Sequence, residues 1–382
     1  MDLLFYTTVI LLIGFATITV YNYFTAPKLR INKSPKNEDK LVSILIPARN
    51  EESNIAKSLL SAINQTYQNT EIIVLDDKST DKTAEIVYEI IKKYPKKKIT
   101  LYQGSDLPAG WNGKSWACYN LASYANGDYI LFIDADVILS KYAIASSLYE
   151  IQKHNLDLLT VFPTQITKTL GETILVPTFM EWFLTSLLAI KLSNDIKVPF
   201  FSAACGQFMF MKKSSYDAIG GHSCVGQNIV EEREISMKFM QEGFKPYAYL
   251  GQEVVYCRMY KDLKSSINGF ANPFYGGTKM HPIHFFAFII LLPVVYITPF
   301  FMVFIDTKYL LPVYLILLQR FAESALFRKN FFKTLILHPL QMFSFFVIGV
   351  ISYQRTISGK LIWKGRVVNQ KKIENKDEIV NI

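Results

Sequence analysis

Between Val42 and Phe162, short apolar runs alternate with amphipathic stretches, and this alternation constrains the fold more than any other feature. The runs are Val42–Ile46, Ile72–Leu75, Ile99–Tyr102, Tyr129–Ile133 and Leu158–Phe162; the stretches between them are Ile55–Ile63, Thr83–Ile91, Ser115–Tyr124 and Ala143–Ile151. Strands that alternate with helices pair in parallel, because a parallel connection needs a crossover long enough to hold a helix. The expected fold class is therefore α/β, a mostly parallel sheet with covering helices. Open sheets of this kind bind ligands beyond the carboxyl ends of their strands. Strand one ends in Pro47-Ala48-Arg49-Asn50-Glu51-Glu52, strand two in Asp76-Asp77, and the fourth in Asp134-Ala135-Asp136. Alone, Asp134 and Asp136 read either as a turn after a strand or as hard oxygen ligands for a divalent cation. Carboxylates on three strand ends along one sheet edge favour a site. Thr80 or Asp81 is expected to cap the next helix and is left out of it.

The apolar surplus is concentrated outside this region. Leu3–Phe24 is long enough to cross a hydrocarbon core of about 30 Å, and with Asp2 before it and bulky Tyr21, Tyr23 and Phe24 closing it, it reads as an anchor rather than a cleaved signal. Lys28, Arg30, Lys33 and Lys36 follow, which places the next domain in the cytoplasm. The expected division is 1–26 transmembrane anchor, 27–40 linker, 41–282 cytoplasmic domain, 283–354 C-terminal transmembrane segments and 355–382 basic cytoplasmic or interfacial tail. Near 175–192, Phe179, Trp182 and Phe183 are interrupted by Glu181 and Lys191, the pattern of an interfacial helix or of an ordinary core helix. Ile283–Ile305, Tyr309–Phe327 and Thr334–Tyr353 are candidate spans, and Arg320 and Glu323, three apart, are expected to pair inside the second. If every segment crossed, the tail with Arg355, Lys360, Lys364, Arg366, Lys371 and Lys372 would lie outside, against the same charge rule. One segment is expected to be re-entrant or interfacial. The net charge of +9 suits an anionic leaflet, since no nucleic-acid recognition module is visible. Cys118, Cys205, Cys224 and Cys257 have no metal or redox spacing and fit reduced thiols, and His281 with His284 is too small a set for a metal.

Four motifs, Ile46-Pro47-Ala48-Arg49-Asn50-Glu51-Glu52, Asp76-Asp77-Lys78-Ser79-Thr80-Asp81-Lys82-Thr83, Gly113-Lys114-Ser115-Trp116-Ala117 and Phe132-Ile133-Asp134-Ala135-Asp136-Val137, occur in this order. Together they resemble the glycosyltransferase family 2 catalytic domain, a nucleotide-sugar-binding fold of the A type, over roughly residues 41 to 260. More narrowly, Gly113–Tyr119, Arg258-Met259-Tyr260, Gly276-Gly277-Thr278-Lys279 and Trp363-Lys364-Gly365-Arg366 resemble bacterial membrane enzymes that glycosylate a carotenoid acid; ceramide glucosyltransferases are more distant.

The resemblance implies a division of labour. Pro47, Ala48, Arg49 and Glu51 frame the nucleotide base and ribose, and Asp77 contacts base or sugar. Asp136 binds Mg²⁺ or Mn²⁺, while Asp134 meets the ribose or the metal's water shell. Lys114 meets the diphosphate or is simply a solvated lysine at a helix end; Arg258 is expected near the diphosphate. The family's base is a carboxylate at a helix start, and here Glu232 stands where the family has Asp, with Glu231 as the alternative. Gly206-Gln207 and Gly220-Gly221-His222 are expected near acceptor and donor sugar, His222 without a chemical role. Lys279 and Trp363-Lys364 suit phosphate or the membrane interface. The implied activity is inverting, metal-dependent transfer of a hexose from UDP-glucose to a membrane lipid. The acceptor is a carotenoid carboxylic acid or, alternatively, a polyprenyl phosphate, sphingoid or glycerolipid. Partners are the nucleotide-sugar donor, the lipid acceptor and the membrane, with no nucleic acid; the oligomeric state is open. A processive Q-x-x-R-W motif is lacking, so one sugar per acceptor is expected. Nucleotidyl transfer would need a glycine-rich loop after strand one, and a non-catalytic scaffold would not need Asp77, Asp134 and Asp136 together.

Overall fold

The computed structural model describes residues 2–33, 39–196, 198–199, 202–226 and 231–359, plus the backbone of a short hairpin at 362–363 and 366–367. Lys36, Lys360, Lys364, Lys371 and Lys372, and the side chains of Trp363 and Arg366, lie outside the described residues. The strands are β1 (Val42–Ala48), β2 (Thr70–Asp76), β3 (Ile99–Gln103), β4 (Tyr129–Ile133), β5 (Val137–Leu139), β6 (Leu158–Phe162), β7 (Thr164–Gln165), β8 (Phe208–Lys212), β9 (Pro246–Leu250) and β10 (Val255–Cys257). The main sheet runs β3-β2-β1-β4-β8-β6-β9. Only β8 is antiparallel to its neighbours, so the expected mostly parallel sheet is present. Helices Ile55–Ile63, Thr83–Lys93, Gly113–Tyr124 and Ala143–His154 cover it. Alternation along the strands divides the core: Ile44, Ile46, Leu131 and Ile133 pack into one apolar cluster, and Leu45, Ile130 and Phe132 into the other. β1 has β2 on one side and β4 on the other, so the chain reverses its winding there and opens a crevice at the carboxyl ends of both strands.

A second, three-stranded sheet, β5-β10-β7, is set against this crevice. Its register places Cys257 opposite Val137, the residue after Asp136. Two expectations need correction. The linker does not begin at Pro27: the Pro27 carbonyl accepts from Leu250 N at 2.8 Å and Leu29 N donates to Leu250 O at 2.9 Å, extending the sheet edge. The reason is Leu29, which enters the core at 1% exposure. Nor is Thr80 or Asp81 the N-cap; that residue is Lys82, without a side-chain bond. Asp81 instead accepts from Thr83 N at 3.0 Å and Glu52 N at 3.1 Å, tying the β1 and β2 loops together.

Among the described residues, three helices are long and apolar enough to cross a membrane: Asp2–Thr25, Pro282–Met302 and Phe331–Ile357. The segment near 175–192 is broken into Leu170–Pro177, a wide turn at Thr178–Trp182, Phe183–Leu187 and Ile190–Ile196, with a 55° bend before the last. Trp182 is fully buried, edge-on to Tyr296 and Phe345, so the segment's large aromatic faces inward rather than out to a lipid surface. Leu310–Leu326 carries the expected ion pair: Arg320 Nη1 lies 2.9 Å from Glu323 Oε2, and Arg320 Nε donates to His338 Nδ1 at 2.9 Å. Both charges are buried. Arg320→Met leaves Glu323 alone in an apolar bundle and is expected to cost about 3 kcal/mol or more; adding Glu323→Leu should restore most of it. Thermal unfolding of the two variants in detergent checks this.

Phe331–Ile357 keeps contact with the domain along its whole length. Just before it, Lys329 donates to Gln165 O at 2.9 Å and pairs with Glu181 at 3.2 Å; midway, Gln341 donates to Thr173 O at 3.3 Å; near its end, Arg355 donates to Asn268 Oδ1 at 2.7 Å. Phe332, Ile336, Leu340 and Phe343 form an exposed apolar stripe, while His338, Gln341, Phe345, Ile348 and Ser352 are buried behind it. This helix lies against the domain with an apolar face turned outward.

Candidate active site

β4 is buried along its whole length and delivers Asp134 and Asp136 into the crevice. The turn after it is held by Val137 N donating to Asp134 O at 3.0 Å. Facing it is the start of the Gly113–Tyr124 helix, capped by Asn112, whose side chain accepts from Ser115 N at 2.7 Å. That cap fixes Lys114, whose Nζ lies 3.0 Å from Asp134 Oδ1 and 3.4 Å from Glu231 Oε1. Burial alone would lower the Lys114 pKa, but Asp134, Glu231 and Glu232 together hold it well above the usual lysine value. Lys114 is therefore not a solvated helix-end lysine; it is the counter-ion of the acidic cluster.

Glu231 opens the Glu231–Gln241 helix and Glu232 follows it. Gly206 passes beside Lys114 and Glu232: a Cβ there would sit 3.0 Å from Lys114 Nζ and 3.4 Å from Glu232 Oε2, so a larger residue would have to push these side chains aside. Burial, reinforced by Glu231 and opposed by Lys114, pushes the Glu232 carboxyl up to about 8. Asp136 takes a hydrogen bond from the Cys257 thiol, which burial and the nearby carboxylates push well above its usual value. Gln207 Nε2 donates to Cys257 Sγ at 3.1 Å, and Gln165 donates to Gln207 Oε1 at 3.1 Å. These polar residues hold the wall behind Asp136 in one arrangement.

The other half of the crevice comes from β1 and β2. Arg49 Nη1 donates to Asp77 O at 2.5 Å, Asp77 N donates to Ala48 O at 2.8 Å, and Asp77 is buried. Glu51 accepts from Asn54 Nδ2 at 2.8 Å and donates its backbone N–H to Thr83 Oγ1 at 2.7 Å. Between them Asn50 takes a left-handed φ of 51°, which asparagine tolerates better than most residues. Pro47, Ala48, Arg49, Glu51 and Asp77 thus gather at the ends of β1 and β2, and Asp134 and Asp136 at the end of β4, with Lys114, Glu231 and Glu232 clustered about Asp134.

Arg258 is not brought into this group. Its guanidinium binds Glu172 with two bonds, Nη2 to Oε1 at 2.9 Å and Nε to Oε2 at 3.2 Å. Glu172 is fully buried, and although burial raises its pKa, Arg258 and the Lys168 and Thr169 donors bring it down to about 2. The pair clamps β10 to the Leu170–Pro177 helix. Sequence reasoning places Gly206-Gln207 near the sugars but misses Glu172 and the role of Cys257. Only Glu172 had a signal, the T-x-x-E capping box of Thr169, which the structure forms. His222 is buried, its Nδ1 2.8 Å from Tyr216 Oη and its ring against Phe132; burial lowers its pKa to about 3, leaving a neutral packing residue. Lys279 pairs with Glu234 at 3.2 Å.

Among the described residues no group of three or more His, Cys, Asp or Glu is placed to hold a metal. Asp134 and Asp136 supply hard oxygen donors from two carboxylates, the set on which Mg²⁺ or Mn²⁺ depends when substrate phosphates and water complete its shell. The donor chemistry fits such an ion in company with a diphosphate.

Comparison with known proteins agrees with this geometry. The Glycosyl transferase family 2 model matches residues 43–220. A 4,4'-diaponeurosporenoate glycosyltransferase of Staphylococcus haemolyticus (strain JCSC1435) is 32% identical over 263 residues, 68% of either chain. A protein of the same name from Staphylococcus aureus (strain USA300) is 31% identical over 235 residues, 58% of this chain and 57% of the relative. Among solved structures, the mannosyltransferase PcManGT from Pyrobaculum calidifontis, in complex with GDP-Man and Mn²⁺, superposes with a TM-score of 0.54 at 13% identity, covering 93% of this chain and 99% of the other. With an A-type sheet, acids at its switch point and relatives of this kind, the chain belongs to glycosyl transferase family 2 and is a glycosyltransferase.

Proposed function

We propose that the protein is a membrane-bound, inverting transferase that moves glucose from UDP-glucose to an apolar lipid acceptor, a carotenoid carboxylic acid, at the cytoplasmic face. The observation that carries this reading is the gathering of Asp134, Glu231 and Glu232 about Lys114, with Asp136 on the same strand end as Asp134. The names of the staphylococcal relatives support the acceptor class, and the basic residues after the first helix support the orientation.

Arg49 and Glu51 shape the base and ribose pocket, with the Asp77 carboxylate as an acceptor for base or sugar. Asp136, with Asp134, would hold Mg²⁺ or Mn²⁺, which when bound supplies Lewis-acid stabilisation of the charge gathering on the diphosphate. Lys114 adds a positive charge beside Asp134. The acceptor oxygen forms its bond to the anomeric carbon as the bond to the β-phosphate oxygen breaks on the opposite face, which inverts the centre. A hydroxyl acceptor gives its proton to Glu232; an ionised carboxylate acceptor has none to give. Full-length protein incubated with UDP-glucose, Mn²⁺ and a carotenoid acid in lipid vesicles should yield a lipid heavier by one hexosyl residue in mass spectra. UDP binding without any glycosylated lipid, across varied donors and lipid extracts, would overturn the reading.

The contacts of Phe331–Ile357 with the domain support laying this helix, though long and apolar enough to cross, along the membrane surface, while the shorter Leu310–Leu326 crosses with Asp2–Thr25 and Pro282–Met302. An odd number of crossings returns the tail at Arg355 to the domain's side, which removes the charge conflict. A cysteine-reactive label that cannot cross the membrane should leave a cysteine placed after Ile382 unmodified in intact cells and modify it after lysis.

A further inference from the structure

Lys28 and Arg30 stand at the boundary between the apolar helices and the sheet. The helices Asp2–Thr25 and Leu310–Leu326 begin together, with Lys308 2.8 Å from Asp2 and Tyr309 edge-on to Phe5. They also end together, since Tyr23 and Phe24 share a cavity with Ala325 and Arg328. The two helices therefore run parallel, and this cavity of about 600 Å³ opens where both reach the domain. Its charged lining is Lys28, Arg30, Arg328 and Glu253. Glu253 is taken by Arg328, and among the described residues no carboxylate pairs with Lys28 or Arg30. The Lys28 ammonium donates to the Tyr23 carbonyl at 3.5 Å. Partial burial lowers its pKa, and Arg30 and Arg328 lower it further, which marks cations gathered without enough countercharge.

We propose that this cavity binds the phosphate headgroup of an anionic membrane lipid. Cations brought together at a net cost in repulsion gain from a shared anion, and Arg30 and Arg328 present planar donors suited to phosphate oxygens. Phe24, 76% exposed at the rim, and Tyr23 beside it give acyl chains and glycerol an apolar wall at the depth where aromatic residues belong. A free phosphate or an acidic peptide would have no use for that wall. The neighbouring cavity, which shares Lys28 and Arg30, is a weaker candidate: its Lys191 and His154 are paired with Asp195 and Glu150. The site rests on the proposed membrane attachment and not on sugar transfer, so the two can fail separately.

The test is native mass spectrometry of delipidated full-length protein in detergent, titrated with phosphatidylglycerol or phosphatidylcholine. Phosphatidylglycerol should bind at least about tenfold more tightly than phosphatidylcholine, and Lys28→Gln/Arg30→Gln, which keeps much of both stems, should erase that preference. A control that removes two charges elsewhere, Lys92→Gln/Lys96→Gln, should change it by no more than about twofold. Thermal unfolding of both variants reports that they remain folded. Equal retention of the two lipids, equal loss in the control, or displacement of the lipid by millimolar glycerol phosphate would overturn the proposal.

Discussion

Asp136→Asn should lower sugar transfer by about a thousandfold or more with the protein still folded. A carboxamide offers a weaker, neutral oxygen to a divalent ion, and loss of charge stabilisation on a leaving diphosphate is worth several kcal/mol, each 1.4 kcal/mol being a factor of about ten. Stability should change little, because the Cys257 thiol can still donate to the amide oxygen. Single-turnover rates at saturating UDP-glucose and Mn²⁺, with thermal unfolding alongside, measure both. A normal rate would remove Asp136 from the metal site. Asp134→Asn should have a smaller effect on the rate and a larger one on Lys114, which would lose its shortest ion pair and keep Glu231 and Glu232.

Glu232→Gln should split by acceptor. With a hydroxyl acceptor it should lose about a hundredfold or more in kcat, the usual contribution of a positioned base, whereas with an ionised carboxylate acceptor the loss should stay within about tenfold. The wild-type rate with a hydroxyl acceptor should climb with pH through about 8 and then level, because Glu232 must be ionised to take the proton. The same shift has a stability sign. The folded protein binds a proton at Glu232 up to about pH 8, and the unfolded chain only to its ordinary value of about 4.5, so folding weakens as pH rises between these limits. Above pH 8 Glu232→Gln should therefore stabilise the resting protein, by about 1 kcal/mol or more, and have almost no effect at pH 4. Unfolding curves at the two pH values check this; equal melting of variant and wild type at pH 9 would mean that the carboxyl is not held protonated. Glu231→Gln should reproduce neither effect in full, since Glu231 already shares Lys114.

The strand positions were legible because Val42–Ala48, Thr70–Asp76 and Tyr129–Ile133 are buried on both faces, which leaves a nearly continuous apolar run with sharp polar ends. The carboxylates of the site could be read for the same reason, since strand ends announce where their next residues emerge. The insertion of β8 antiparallel between β4 and β6 had no such signature; pairing order depends on contacts far apart in the chain. Arg258 shows the same limit. Its partner Glu172 lies 86 positions away, and no local pattern distinguishes a guanidinium waiting for phosphate from one already bound. Thr334–Tyr353 reads as a candidate span and lies in a helix long and apolar enough to cross a membrane, but hydropathy does not separate Leu340, which is exposed, from Phe345, which packs inside. Leu29 was one apolar residue in a polar stretch, yet it carried Pro27–Leu29 onto the sheet.

The Arg258–Glu172 clamp makes the site a lever as well as a pocket. Asp136 holds Cys257, the next residue grips Glu172, and the helix that Glu172 caps is bonded through Thr173 to Gln341 on the outward-facing helix. The links are direct side-chain contacts, so Gln341 and Asp136 are joined through named bonds rather than through a loop. On the proposed membrane attachment, the bilayer would bear on the outer end of this chain of contacts, and its thickness would become a variable of catalysis.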